Sequence, residues 1–249
     1  MTASESAAPS ADPGPMTLPE HLRALGRPAA MSVLLAVSTV VMCAYWYLGS
    51  PGAQLAVDAT RDYATALQLC LLAFGLWVIV PTIAMLAVKF PISKIGLGLG
   101  DVRFNLKVTG IAIVLVTVPM AMGTKDPAIQ AVYPWPGADA GTSLGAWVQW
   151  LATYLIYYIA FEFFFRGVLI RAVEKEWGLT NAIWFAAICA TLVHVGKPWS
   201  ETLAAFPVSL LFGVQAVRGR SIWWPILIHW WVGSVTDTSS LYWQDLLNF

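Results

Sequence analysis

The stretch LGAWVQWLATYLIYYIAFEFFFRGVLI, residues 144–170, decides how the chain is read. It holds 27 residues and only two formal charges, Glu162 and Arg166. A helix rises about 1.5 Å per residue, so about 20 apolar residues cross about 30 Å of hydrocarbon. Inside a bilayer no water satisfies backbone groups, and a run of this length is read as a membrane helix. Each charge at bilayer depth costs about 2.5–3.5 kcal/mol on insertion scales, so Glu162 and Arg166 are the first residues to explain.

Working outward, six further apolar runs cover residues 29–48, 65–88, 108–122, 181–195, 202–217 and 222–235. The third is the weakest. Gly196-Lys197-Pro198 ends the fifth of the seven, and Arg218-Gly219-Arg220 precedes the last. Composition agrees: of 249 residues 58% are hydrophobic and 11% charged, with mean hydropathy +0.68, which excludes an ordinary soluble globular protein. Thirteen Trp suit a protein whose indoles sit at headgroup level. Fourteen cations balance fourteen acids, leaving no basic excess for phosphates, so nucleic acid is not an expected partner. The expected fold is an all-α polytopic transmembrane bundle of about seven transmembrane helices, with the lipid bilayer as its surroundings.

Residues 1–28 contain Pro13, Pro15 and Pro19 and no apolar stretch, and are read as a disordered tail and flank. The run that follows is too long for a signal peptide and has no cleavage site. Cys43, Cys70 and Cys189 fall inside apolar runs without metal or disulfide spacing, and are expected to be inert core thiols. No internal repeat is seen, which leaves an inverted-repeat transporter without support. Ten cations lie at the amino-terminal flank and in the loops after the second, fourth and sixth runs; only Arg61, Lys125 and Lys197 lie on the other face. By the positive-inside rule the amino terminus is placed in the cytoplasm and the carboxyl terminus outside.

Few ionisable residues fall within the runs. Glu162 and Arg166 stand at i and i+4, acid first, and should pair. The pair either pins its helix to its neighbours or borders a polar cavity walled by Phe161, Phe163, Phe164 and Phe165. His194 falls near the end of the fifth run and His229 in the middle of the seventh, with Asp237 just past it as an outer-end acid. Two imidazoles and an acid on three apolar helices suggest a shared site. Zinc is the weaker option, because no HExxH is present and the ligands would have to converge from separate helices.

Phe161-Glu162-Phe163-Phe164-Phe165-Arg166-Gly167, then His194, then Arg218-Gly219-Arg220-Ser221-Ile222-Trp223-Trp224-Pro225-Ile226-Leu227-Ile228-His229, resembles the CPBP family of CAAX-protease and bacteriocin-processing membrane peptidases. The resemblance covers about residues 145–236. It implies glutamate-dependent intramembrane endopeptidase activity without a cofactor or metal, with residues 29–142 as amino-terminal helices and 143–249 as the peptidase core. The family pattern is EExxxR, FxxxH, and HxxxN or HxxxD. By position Glu162 is the second glutamate, Arg166 the arginine, His194 the first histidine and His229 the last. Three positions depart: Phe161 stands at the first glutamate, Ala190 at the Phe and Gly233 at the Asn.

The resemblance implies Glu162, His194 and His229 as catalytic, with Arg166, Glu201 and Thr236 supporting. Phenylalanine at 161 can neither take a proton nor orient water, so another carboxylate must act. Glu162 is one candidate, although one residue turns a side chain by about 100° around the helix. Glu201 is the other, reaching back to His194 past the Gly-Lys-Pro break; it is equally an acid favoured by the helix dipole in the sixth helix's first turn. Thr236 shares a face with His229 and could donate a hydrogen bond. The expected substrate is a membrane-anchored peptide or protein, and the expected location a bacterial inner membrane. The alternatives are a non-catalytic relative that binds or protects against a peptide, and a small-solute transporter.

Overall fold

A computed structural model describes residues 17–19, 29–49 and 61–249, so most of the expected disordered tail lies outside the described residues. Among the described residues seven long helices are present: α1 (Ala30–Leu48), α2 (Tyr63–Ala87), α3 (Val102–Gly123), α4 (Leu144–Trp177), α5 (Leu179–Leu192), α6 (Trp199–Gly219) and α7 (Trp223–Trp243). Among the described residues there is no strand, and the fold is an all-α bundle. Five of the helices, α1 to α4 and α6, are long and apolar enough to cross a membrane. The 14 residues of α5 rise about 21 Å, short of a bilayer core.

Local chemistry sets the ends. Asp62, Asp101 and Ser143 cap α2, α3 and α4 by accepting from the Thr65, Phe104 and Ala146 amides, which the first helical turn leaves unpaired. Gly178 (φ 75°) lets the chain leave α4. Two helices widen into π turns. In α2 the turn is Gly75–Ile79, and Pro81 just after it lacks an N–H for the Trp77 carbonyl four residues back. In α4 it is Phe163–Leu169, directly after Glu162.

The bundle is built around α4. Of its most apolar stretch 83% is buried, against 6% for α3, which turns Val114, Leu115 and Val118 outward. On one side α1 and α2 press Tyr45 and Trp77 onto α4, where Trp77 stacks on Phe164 at 6.2 Å and meets Phe161 edge-on at 5.6 Å. On the other side α7 packs between α3 and α4, and α5 pairs with α6. Lipid gives no hydrophobic drive between helices, and polar ties hold them: Trp231 Nε1 donates to Thr117, Gln215 Nε2 to Thr109, and Trp230 Nε1 to the Leu151 carbonyl.

Two expectations are corrected. Helix α7 runs on to Trp243, so Asp237 is no outer-end acid; it is 1% exposed and accepts from Trp150 Nε1 at 2.6 Å. The aromatic donor pairs one oxygen of a carboxylate that hydropathy alone would place outside. Cys70 and Cys189 are buried, but Cys43 is exposed on the outer face of α1.

Candidate active site

Glu162 ends the regular part of α4 and is fully buried. Its Oε2 pairs with Arg166 Nε at 3.1 Å, as the i, i+4 spacing predicts. Its Oε1 accepts from His229 Nδ1 at 2.7 Å. Arg166 donates in turn to Ser209 Oγ of α6 at 3.3 Å and lies over the Phe161 and Phe212 rings. Three helices, α4, α6 and α7, therefore meet on one carboxylate–guanidinium pair.

His194 stands in the turn after α5, two residues beyond the helix end, and not within a span. Its Nδ1 lies 2.7 Å from the Ala190 carbonyl. A carbonyl only accepts, so Nδ1 carries the proton and Nε2 keeps a lone pair. His229 is held in the same manner, with Glu162 as acceptor in place of a carbonyl. Phe161, 1% exposed, sits between the two imidazoles, 5.8 Å from the His194 ring and 4.9 Å from that of His229.

Both histidines and Phe161 border one cavity of about 560 Å³. Glu162 does not border it; its carboxylate is spent on Arg166 and His229. Glu201 does, from the first turn of α6. Lys197 Nζ and Tyr133 Oη both donate to Glu201 Oε1, at 2.7 and 2.8 Å. Glu201 Oε2 is buried with no hydrogen bond among the described residues, and its charge interacts with the His194 ring. Thr236 also borders the cavity, but its hydroxyl donates to the Val232 carbonyl of its own helix at 2.9 Å. Of the four phenylalanines expected to wall the site only Phe161 does so, while Phe164 and Phe165 pack on Trp77. Among the described residues no three His, Cys, Asp or Glu gather as a metal-ligand set.

Tyr133, Lys197 and Tyr158 were not singled out by sequence. Lys197 stands four residues before Glu201 across the helix start, and Tyr158 four before Glu162 on one face of α4, so both carried a spacing signal. Tyr133 lies in the loop between α3 and α4, where no periodicity points inward.

Sequence comparison agrees with this geometry. Residues 143–235 match the family model described as type II CAAX prenyl endopeptidase Rce1-like, the CAAX-protease family that the Glu-Arg helix and the two histidines resemble. The match holds every residue of the site except those contributed by α3, the loop that follows it and the last turns of α7, and over this segment the chain is similar to membrane proteins of CAAX-protease type. No curated protein and no solved structure matches the chain.

Proposed function

We propose that this protein is an intramembrane endopeptidase that hydrolyses a peptide bond of a membrane-associated peptide or protein, with the segment 143–249 as its core on the helices of 29–142. The observation that carries the reading is that two imidazoles, each tied through Nδ1, border one cavity with a carboxylate that has a free, buried oxygen. His194 Nε2 and Glu201 Oε2 share the attacking water. His194 takes one water proton as the oxygen adds to the scissile carbonyl, and Glu201 stabilises the imidazolium. When the C–N bond breaks, His194 gives that proton to the departing nitrogen. His229, with Glu162 stabilising its charged form, offers Nε2–H to the carbonyl oxygen as negative charge develops there. Glu162 and Arg166 are positioning residues: they touch His229 and the helices, not the water.

The position matched to the first glutamate is thus bypassed. Glu201, from the neighbouring helix, takes over the task that Phe161 cannot perform. The purified protein in nanodiscs, given a membrane-tethered peptide reporter, should cleave it, and H194A, E201Q and H229A should each lower the rate at least about 100-fold. Cleavage that survives all three changes rejects the site. A bacterial inner membrane, with the amino terminus in the cytoplasm, is the location we assign.

Phe161 favours a second reading. An aromatic ring between two imidazoles seals them from a substrate carbonyl and suits a protein that holds a peptide without cutting it. That protein would capture the reporter peptide, lose capture on H229A, and release no product at any enzyme concentration.

A further inference from the structure

Gly233 of α7 faces α4 at the cavity wall. A Cβ built there would run into the Tyr158 hydroxyl oxygen, with ring carbon Cε2 at 2.9 Å. The missing side chain is therefore what lets the phenol of Tyr158 reach this part of the cavity. Tyr158 is 4% exposed, and its ring centroid lies 4.5 Å from that of His229.

Hydroxyls at the cavity differ in what they have left to give. Tyr133 spends its proton on Glu201, Tyr157 shares a 3.2 Å bond with Tyr45, and Thr236 donates to its own helix. The Tyr158 ring packs on that of Tyr154, one turn earlier on α4, with centroids 4.6 Å apart. Among the described residues no hydrogen bond takes the Tyr158 hydroxyl proton, which is left for another acceptor. A buried phenol held by ring packing is a donor already oriented in a low-dielectric site. Such a donor needs no reorganisation when charge appears on an acceptor.

We infer that the Tyr158 hydroxyl is the second hydrogen-bond donor to the carbonyl oxygen of the bound peptide, working beside His229 in the space that Gly233 leaves free. The inference rests on the peptidase reading. It assigns Tyr158 as a catalytic residue, Tyr154 as the residue that positions it, and Gly233 as the position that must carry no side chain while Tyr158 is present.

The test uses the full chain in nanodiscs with the membrane-tethered peptide reporter. Y158F keeps the ring and removes the hydroxyl, and should lower kcat about 100-fold with KM little changed, the pattern of a contact made only in the transition state. Thermal unfolding should move little. Y154L, which removes the ring that packs on Tyr158, should give a smaller loss of the same kind. G233N alone should be destabilised by the clash, whereas in the Y158A background it puts a carboxamide donor into the vacated space and should recover about tenfold over Y158A. If Y158F does not fold, the Y158A and Y158A/G233N pair decides: recovery supports the donor role, and its absence overturns it. Active wild type with Y158F within about twofold removes this inference alone. Wild type inert toward the reporter removes it together with the peptidase reading.

Discussion

Glu162 carries more of the structure than any other charged residue, because both its oxygens are committed and no solvent reaches it. The Arg166 and Glu162 side chains are 1% and 0% exposed. Taking a charge from such a pair leaves its partner buried and uncompensated, which costs about 3–5 kcal/mol, whereas replacing both by apolar groups is often close to neutral. E162Q should therefore lower thermal stability in detergent strongly, and R166M in the E162Q background should return most of it. Purely additive losses in this double-mutant cycle would show that the pair is not the unit. Activity separates from stability here: E162Q also removes the negative charge that in the proposed mechanism stabilises the His229 imidazolium, so E162Q/R166M should be folded and slow.

At the level of helices, α3 is the peripheral member, packed along its length on α7 and tied at its start to the end of α6. Asp101 caps it, and Asp101 Oδ2 also pairs with Arg218 at the end of α6, at 3.2 Å. The Phe104 amide first, and then Arg218, hold the Asp101 carboxyl below its ordinary range. Asp62 at the start of α2 is lowered likewise by the Thr65 amide. A carboxyl depressed in the folded state contributes stability that is present above its unfolded pKa and lost as pH falls through the folded one. Thermal stability should then drop on acidification below the usual carboxylate range, and the drop should be shallower in D62N/D101N. A parallel pH profile in that variant would show that the caps do not titrate with folding.

The seven helices were legible because lipid imposes a length and an apolar surface that any reader of the sequence can count. Their ends were less so. The polar end of α7 past residue 235 reads as a tail, yet Thr238 accepts from Trp147, Asp237 from Trp150, and Ser240 donates to the Tyr133 carbonyl. Partners on other elements pull these residues inside, and hydropathy has no access to partners. The same holds at the site. Glu162 with Arg166 followed from spacing on one helix, and the two histidines, expected to share a site, border one cavity. That Glu162 would turn away from the cavity, while Glu201 turned toward it, depends on the π turn after Glu162 and on Lys197 and Tyr133, which no periodicity records.

For the whole molecule the decisive matter is which side of the membrane the cavity meets. Its lining comes from the end of α3 at Gly123, the start of α6 at Ser200 and Glu201, and the turn at His194 and Lys197. Asp126 and Ser200 are exposed polar members at that end. The opposite end carries Lys89, Lys94, Arg103, Arg218 and Arg220, and there Trp223 and Trp224 donate to the Leu97 and Leu99 carbonyls and lock the start of α7 to the loop after α2. In the orientation proposed above, with these cations retained on the cytoplasmic side, the cavity would open to the outer half of the bilayer, and the substrate should present its cleaved segment there. On a cysteine-free background, S200C should react with a membrane-impermeant maleimide in intact cells, and S93C only after permeabilisation. A reporter whose cleavable segment lies on the outer face should be cut, and its inverted counterpart spared. The reverse labelling would turn the molecule over and hand the site to cytoplasmic substrates; cleavage of both reporters would show that the cavity takes peptide from within the bilayer.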